Sequence, residues 1–339
     1  MTTLTEVRPS GARLHTVRRV VGYAAIVGTL PYLTLKTCWL LGIDVGVTDP
    51  AFMHDSGIFW LNLFTAGMDV YAVALALVFA HALRAPAPLV LFPIWVGTGF
   101  LAPIAVGAPV IAVISAYAPP APASSGAELP LAPWVQPLVY GGFAWQGVFL
   151  LTGFLLYALH RWPTIFRARL RAGDAVGAGV VDARGAGGVG WTLAGYAGVA
   201  FAAATAAVHL GYAIGLDLWF TAAERASRTA VTSGVESIRG LAALAGAAGV
   251  LMLLRDVPAG SRSWGPVVLG WTGSGSMFSW GFWSLLNVTA ATVLVRDGVR
   301  PIELAAVLAQ FLGGVLLGAT VLRHCAHLAT TPRTPNTAP

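Results

Sequence analysis

Eight apolar runs, each close to the length that crosses a bilayer, follow one another along this chain and leave it few ways to fold. They cover 20–43, 57–82, 87–108, 135–159, 192–215, 233–254, 265–289 and 301–322. A helix needs roughly 20 apolar residues to span the hydrocarbon core. Hydrophobic residues make up 57% of the chain and charged residues 10%. The pattern predicts an all-α, polytopic bundle with the lipid bilayer as its solvent and first partner. The first run is too long for a signal-peptide core and lacks a small-residue cleavage site, so it is expected to stay as a helix.

The basic residues set the expected orientation. Fourteen arginines fall in the connections on one side of this topology and four on the other. The positive-inside rule then puts both termini in the cytoplasm of a bacterial cell with a multi-pass chain in its plasma membrane. The net charge of +6 follows this topology and does not form a nucleic-acid patch. The two cysteines, Cys38 and Cys325, make no disulfide framework.

The runs also repeat. Gly22-Tyr23-Ala24 opens a segment closing at Gly42-Ile43-Asp44, and Gly195-Tyr196-Ala197 opens one closing at Gly215-Leu216-Asp217. Lys36 and His209 hold the same register within them. Pro88-Leu89-Val90-Leu91 leads to Gly97 and Phe100, as Pro266-Val267-Val268-Leu269 leads to Gly275 and Phe278. The expected organisation is a tail at 1–19, a four-helix repeat at 20–159, a cytoplasmic linker at 160–191, a second four-helix repeat at 192–323 and a disordered tail at 324–339. An even number of spans per copy gives both copies the same orientation, as in parallel-repeat carriers. The linker reads as solvated, with a short basic helix at 161–171 on anionic lipid. The run from Pro86 to Tyr117 is broken by Pro88, Pro93, Pro103 and Pro109. It is expected to kink, end near Gly107 and continue as an interfacial or re-entrant piece.

Ionisable residues inside apolar spans are costly and mark functional candidates. Asp69 lies deepest. Lys36, the only lysine, and His209 sit about 10 Å from the outer ends of their spans at ~1.5 Å per residue. Glu236 and Arg239 share a helical face one to two turns into span six and can pair. Asn62 enters span two from the same side, and Glu303 is a first-turn acid. The distribution suggests a polar chamber opening outward, with Lys36 coupled to Asp69 or Glu236. Asp69, Glu236, Lys36 and His209 are the candidate catalytic residues; a buried carboxylic acid can donate a proton or couple transport to one. Asp49, His54 and Asp55 form only a weak metal pattern, and no metal or cofactor is expected.

Aromatic residues make the second set. Trp39 and Trp60 stand near outer helix ends. Phe278, Trp280, Phe282 and Trp283 run along a Gly/Ser-rich span seven. With Asn62 and Arg239, the residues Trp39, Trp60, Phe278, Trp280 and Trp283 are the candidate substrate contacts, since rings can shelter a cation. The interfacial aromatic belt is the competing explanation. No P-loop, HExxH, GxSxG or CxxC pair occurs.

Pro31-Tyr32-Leu33-Thr34-Leu35-Lys36 with Trp39, and Pro93-Ile94-Trp95-Val96-Gly97-Thr98-Gly99, resemble a family of actinobacterial multi-span membrane proteins, mainly over the first half. In general character the chain is similar to bacterial membrane-bound terpene cyclases. That likeness implies intramembrane acids and an aromatic pocket acting on a prenylated substrate, but it assigns no catalytic position. Two functions are therefore expected. One is a proton-initiated enzyme on an apolar, isoprenoid- or lipid-like substrate; the other is a proton-coupled small-molecule transporter or export protein.

Overall fold

A computed structural model describes residues 11–53, 55–117, 130–170, 185–216, 220–294 and 300–330. His54, Asp217, most of the loop at 119–134, linker residues 171–184 and the tail from 331 lie outside the described residues. Eight long helices account for most of the rest: α1 (Gly11–Leu40), α2 (Ser56–His81), α3 (Ala87–Tyr117), α4 (Val135–Arg161), α5 (Gly185–Ala213), α6 (Ala230–Arg255), α7 (Trp264–Leu294) and α8 (Pro301–Thr330). Six of them, α2 to α6 and α8, are long and apolar enough to cross a membrane. α1 carries Arg13, Arg18, Arg19 and Lys36, and α7 is rich in Gly, Ser and Trp, which lowers their apolarity.

The outer surface is strongly apolar, while several polar side chains are buried among the helices. Val20, Leu89, Phe92, Val106, Leu193 and Leu241 are largely exposed. Lys36, Asn62, Asp69, Gln146, Ser274, Ser276 and Ser279 are buried. Apolar surface on this scale belongs against lipid. Inside, with no hydrophobic drive between helices, small residues permit close backbone contact. A Cβ at Gly273 would lie 2.3 Å from the Gly246 nitrogen, and one at Gly249 would lie 2.3 Å from the Gly270 nitrogen. α6 and α7 therefore meet backbone to backbone.

The chain divides into two compact units. The first holds α1, α2, α4 and part of α3; the second holds α5 to α8 with Trp95–Pro103 and the stretch from Pro109. In the first unit, Thr48 donates to the Pro130 carbonyl at 2.9 Å and Ala132 to that of Gly46 at 2.7 Å, so both connections lie at one end. In the second, Leu170 is buried and donates to the Ser261 carbonyl at 2.8 Å, while Arg169 reaches the Gly260 carbonyl at 2.7 Å. The start of the linker is thus docked rather than solvated, and the short helix there spans Pro163–Arg167. The expected tail also shrinks, because α8 runs to Thr330.

The termini of corresponding helices close alike. Gly42, with φ +75°, ends α1; Gly42 donates to Trp39 at 3.1 Å and Ile43 to Cys38 at 2.9 Å. Gly215, with φ +88°, follows α5; Gly215 donates to Tyr212 at 3.1 Å and Leu216 to Gly211 at 2.9 Å. These left-handed turns suit glycine because it has no Cβ to clash. α2 and α6 both end in left-handed non-glycine caps, Ala82 and Asp256. Leu83 donates to Val78 at 3.0 Å, and Val257 to Met252 at 3.1 Å. Side-chain N-caps start both helices, Asp55 for α2 and Thr229 for α6.

α3 corrects the expected break near Gly107. It is one helix of 31 residues despite Pro93, Pro103 and Pro109. A proline leaves the carbonyl four residues earlier without its helical donor. For Pro93 that carbonyl is Leu89, which accepts from the Tyr71 hydroxyl at 2.8 Å. For Pro103 it is Gly99, which accepts from the Ser276 hydroxyl at 3.2 Å. Side chains from other helices thus repair the backbone, as spanning segments require.

Candidate functional site: two buried polar clusters

In the first unit, Lys36 on α1 meets Asn62 on α2. Its Nζ donates to Asn62 Oδ1 at 2.5 Å and lies 4.8 Å from the Tyr32 ring and 5.1 Å from that of Trp39. Buried Trp39 is held by a 2.9 Å bond from Nε1 to the Val45 carbonyl. Trp39 also packs with Leu35, Met53, Val135 and Val139. Met53 reaches the cluster too, its sulfur 3.9 Å from the Asn62 amide nitrogen. The expected outward-opening chamber is therefore filled at Lys36. Leu35, Trp39 and Met53 extend over this end because the connection at 41–55 folds back onto the helices.

Asp69, seven residues beyond Asn62 on α2, is 6% exposed. Gln146 of α4 and Lys36 of α1 are its polar neighbours. Lys36 takes Asn62 as its direct partner, so its expected pairing with an acid is replaced by a through-space interaction with Asp69. The Oδ2 of Asp69 and the Oε1 of Gln146 are buried without a hydrogen-bond partner among the described residues. Close packing of α1 on α4 brings Gln146 here: a Cβ at Gly28 would lie 2.7 Å from the Gln146 nitrogen.

The second unit joins His209 of α5 to Glu236 of α6 and Gln310 of α8. His209 Nδ1 contacts Glu236 Oε2, and Nε2 faces Gln310 Oε1 at 3.2 Å. The other Glu236 oxygen accepts from Arg239 at 3.3 Å, as their spacing predicted. Arg239 lies 4.9 Å over the Trp280 ring. Arg239, Ser276, Met277, Trp280 and Gln310 line a cavity of about 10 Å³. The register links the clusters. Lys36 and His209 lie equally far after Gly22 and Gly195, and Asn62 and Glu236 stand equally far after the N-caps Asp55 and Thr229.

The aromatic candidates separate. Trp60 is 66% exposed and faces outward beside Phe59. Phe278 packs against Trp95 at 4.7 Å and Phe311 at 5.1 Å, with Phe282 at 6.3 Å. Trp280 sits edge-on to Phe100 at 5.4 Å, and Trp283 is half-buried. The rings of α7 pack against those of α3 and α8. The polar residues of α7 serve the same packing: Trp95 donates to Ser274 at 3.0 Å, and Ser279 to the Val96 carbonyl at 3.0 Å. In the outer loop, Asp49 and Asp55 accept from backbone amides at 3.0 and 2.8 Å. Glu303 faces Arg300 at 3.8 Å.

Gln146 and Gln310 were missed in the sequence. They are two of only three glutamines, and each lies within an apolar run, a signal of the same kind that singled out Asp69. Comparison with protein families, curated proteins and solved structures finds no match to this chain.

Proposed function

We propose that the chain is a proton-coupled carrier of amphiphilic small molecules in a bacterial plasma membrane. It has eight spans, built as two four-helix repeats of the same orientation, with both termini in the cytoplasm. The matched helix ends support the duplication, as does the polar pair placed at one register in each unit: Lys36 with Asn62, and His209 with Glu236. The carrying observation is at Asp69 and Gln146. Two neighbouring side chains each bury an acceptor oxygen that has no hydrogen-bond partner among the described residues. Buried polar groups are costly unless paired. A proton on the Asp69 carboxyl supplies a donor. An acid held this way inside a span can load and unload one proton per cycle.

The carrier is preferred over the terpene-cyclase reading because the aromatic side chains of α7 pack on α3 and α8. Ligand pockets usually have ~300–1,000 Å³, and the cavity beside Trp280 has about 10 Å³.

The test is proteoliposomes that trap a pH-reporting dye and receive a labelled amphiphilic amine. Wild-type protein moves the probe with a coupled proton flux, and Asp69→Asn, which still inserts, abolishes the coupling. Membranes that instead cyclise a prenylated or epoxidised substrate, with loss of turnover in Asp69→Asn, establish the enzyme. Alkaline phosphatase fused after Pro50 is expected to be active, and after Ala178 inactive.

A further inference from the structure

We propose that the cavity between α6, α7 and α8 is a binding site for a single halide-sized anion. Its walls are Arg239, Ser276, Met277, Trp280 and Gln310, all within the second unit. Size comes first. About 10 Å³ is room for one water molecule or one monatomic ion and excludes phosphate, sulfate and carboxylates.

The lining then selects the sign. Arg239 brings a guanidinium with five N–H groups, of which one reaches Glu236 at 3.3 Å. Trp280 Nε1 is a donor, buried, with no partner among the described residues. Trp donates only, so an acceptor must enter to satisfy it. The only acid of the cluster is turned elsewhere: Glu236 Oε1 faces Arg239, and Oε2 faces His209. The Ser276 hydroxyl proton is directed to the Gly99 carbonyl and leaves an oxygen on the cavity wall. Met277 contributes an apolar wall.

Charge agrees with this assignment. The single carboxylate of the cluster, Glu236, is shared between Arg239 and His209, so it only partly compensates the Arg239 guanidinium. An anion beside Arg239 completes that compensation and accepts from Trp280 Nε1, whereas a neutral water supplies only the acceptor. The site requires no assumption about transport.

The experiment uses the purified full-length protein in detergent and bromide as the probe. Thermal midpoints are recorded at fixed pH as gluconate is replaced by chloride or bromide at constant ionic strength. A ligand that binds only the folded state raises the midpoint in a saturable way. Trp280→Phe keeps the ring against Phe100 and removes the N–H. It is expected to weaken halide binding about tenfold, the cost of one lost hydrogen bond. Arg239→Gln is expected to abolish the shift. Because either variant could fail to fold, bromide is also located in the wild-type protein by anomalous scattering. A peak between Trp280 Nε1 and Arg239 supports the site. No halide-specific shift together with no peak overturns it in favour of a bound water. So does a shift that persists in both variants, since the ion then binds elsewhere.

Discussion

The contact between Lys36 and Asn62 gives the most direct test of the first cluster, because each single substitution strands the other partner. Lys36 is 7% exposed and Asn62 is 4% exposed, so neither can turn to water. Their 2.5 Å bond involves a charged donor, a class worth about 1.5–3 kcal/mol. Asn62→Leu leaves an ammonium held only by the Tyr32 and Trp39 rings and the more distant Asp69 charge. Breaking a buried charged contact from one side costs about 3–5 kcal/mol, and the rings return about 1–2 kcal/mol of that. The expected loss for Asn62→Leu is therefore about 1–4 kcal/mol. Lys36→Met leaves the Asn62 carbonyl oxygen without its donor, at a cost of about 1–3 kcal/mol. The double variant replaces both polar groups by apolar ones of similar size and is expected to lose less than the sum by about 1.5–3 kcal/mol. Unfolding of the three variants and wild type is followed by tryptophan fluorescence in mixed micelles as denaturing detergent is raised. If the two single losses add to within about 0.5 kcal/mol, the side chains do not meet, and the cluster is wrong.

Three other outcomes are expected. Gly273→Leu places a side chain where even a Cβ lies 2.3 Å from the Gly246 nitrogen. Backbone cannot yield there, so α6 and α7 must separate at a cost of about 1–3 kcal/mol or more; an unchanged denaturation midpoint refutes the contact. Ser276→Ala removes the donor to the Gly99 carbonyl, which Pro103 has already released, and is expected to cost about 1–3 kcal/mol. The same substitution combined with Pro103→Ala, which restores a helical donor, is expected to cost less. Burial alone pushes the Glu224 carboxyl up, but the Thr221 hydrogen bonds and Arg300, at 2.6 Å, outweigh it and hold it below its usual value. Stability from a depressed acid is present above the ordinary value of 4.5 and is lost as pH falls through the lower folded value. Thermal midpoints of wild type and Glu224→Gln should therefore converge only in that acid range; a constant gap across pH excludes the ionic contribution.

Much of the candidate site was legible, but only as separate residues. Lys36, Asp69, His209 and Glu236 stand out because charge within an apolar run needs a reason. Their partners do not stand out in the same way. The pairing of Lys36 with Asn62, rather than with an acid, depends on how α1 packs on α2. Gln146 enters the cluster because Gly28 lets α4 approach α1. The aromatic residues of α7 show the limit most clearly. Their spacing is the same whether they line a pocket or fill one, and the packing of Trp95 and Phe311 on Phe278 decides between the two.

The sequence by itself determined the membrane character and the all-helical class, and the eight long helices fall where its apolar runs lie. Those properties follow from local composition, since a bilayer requires each segment to satisfy its own backbone. Glycine at 42 and 215 likewise marks helix ends through its own permitted dihedrals. The tertiary structure alone decided that α3 runs unbroken. The carbonyls released by Pro93 and Pro103 are repaired by Tyr71 of α2 and Ser276 of α7. It also decided which polar groups meet, because a buried hydrogen bond depends on the rotation and approach of two helices, and hydropathy carries no record of either.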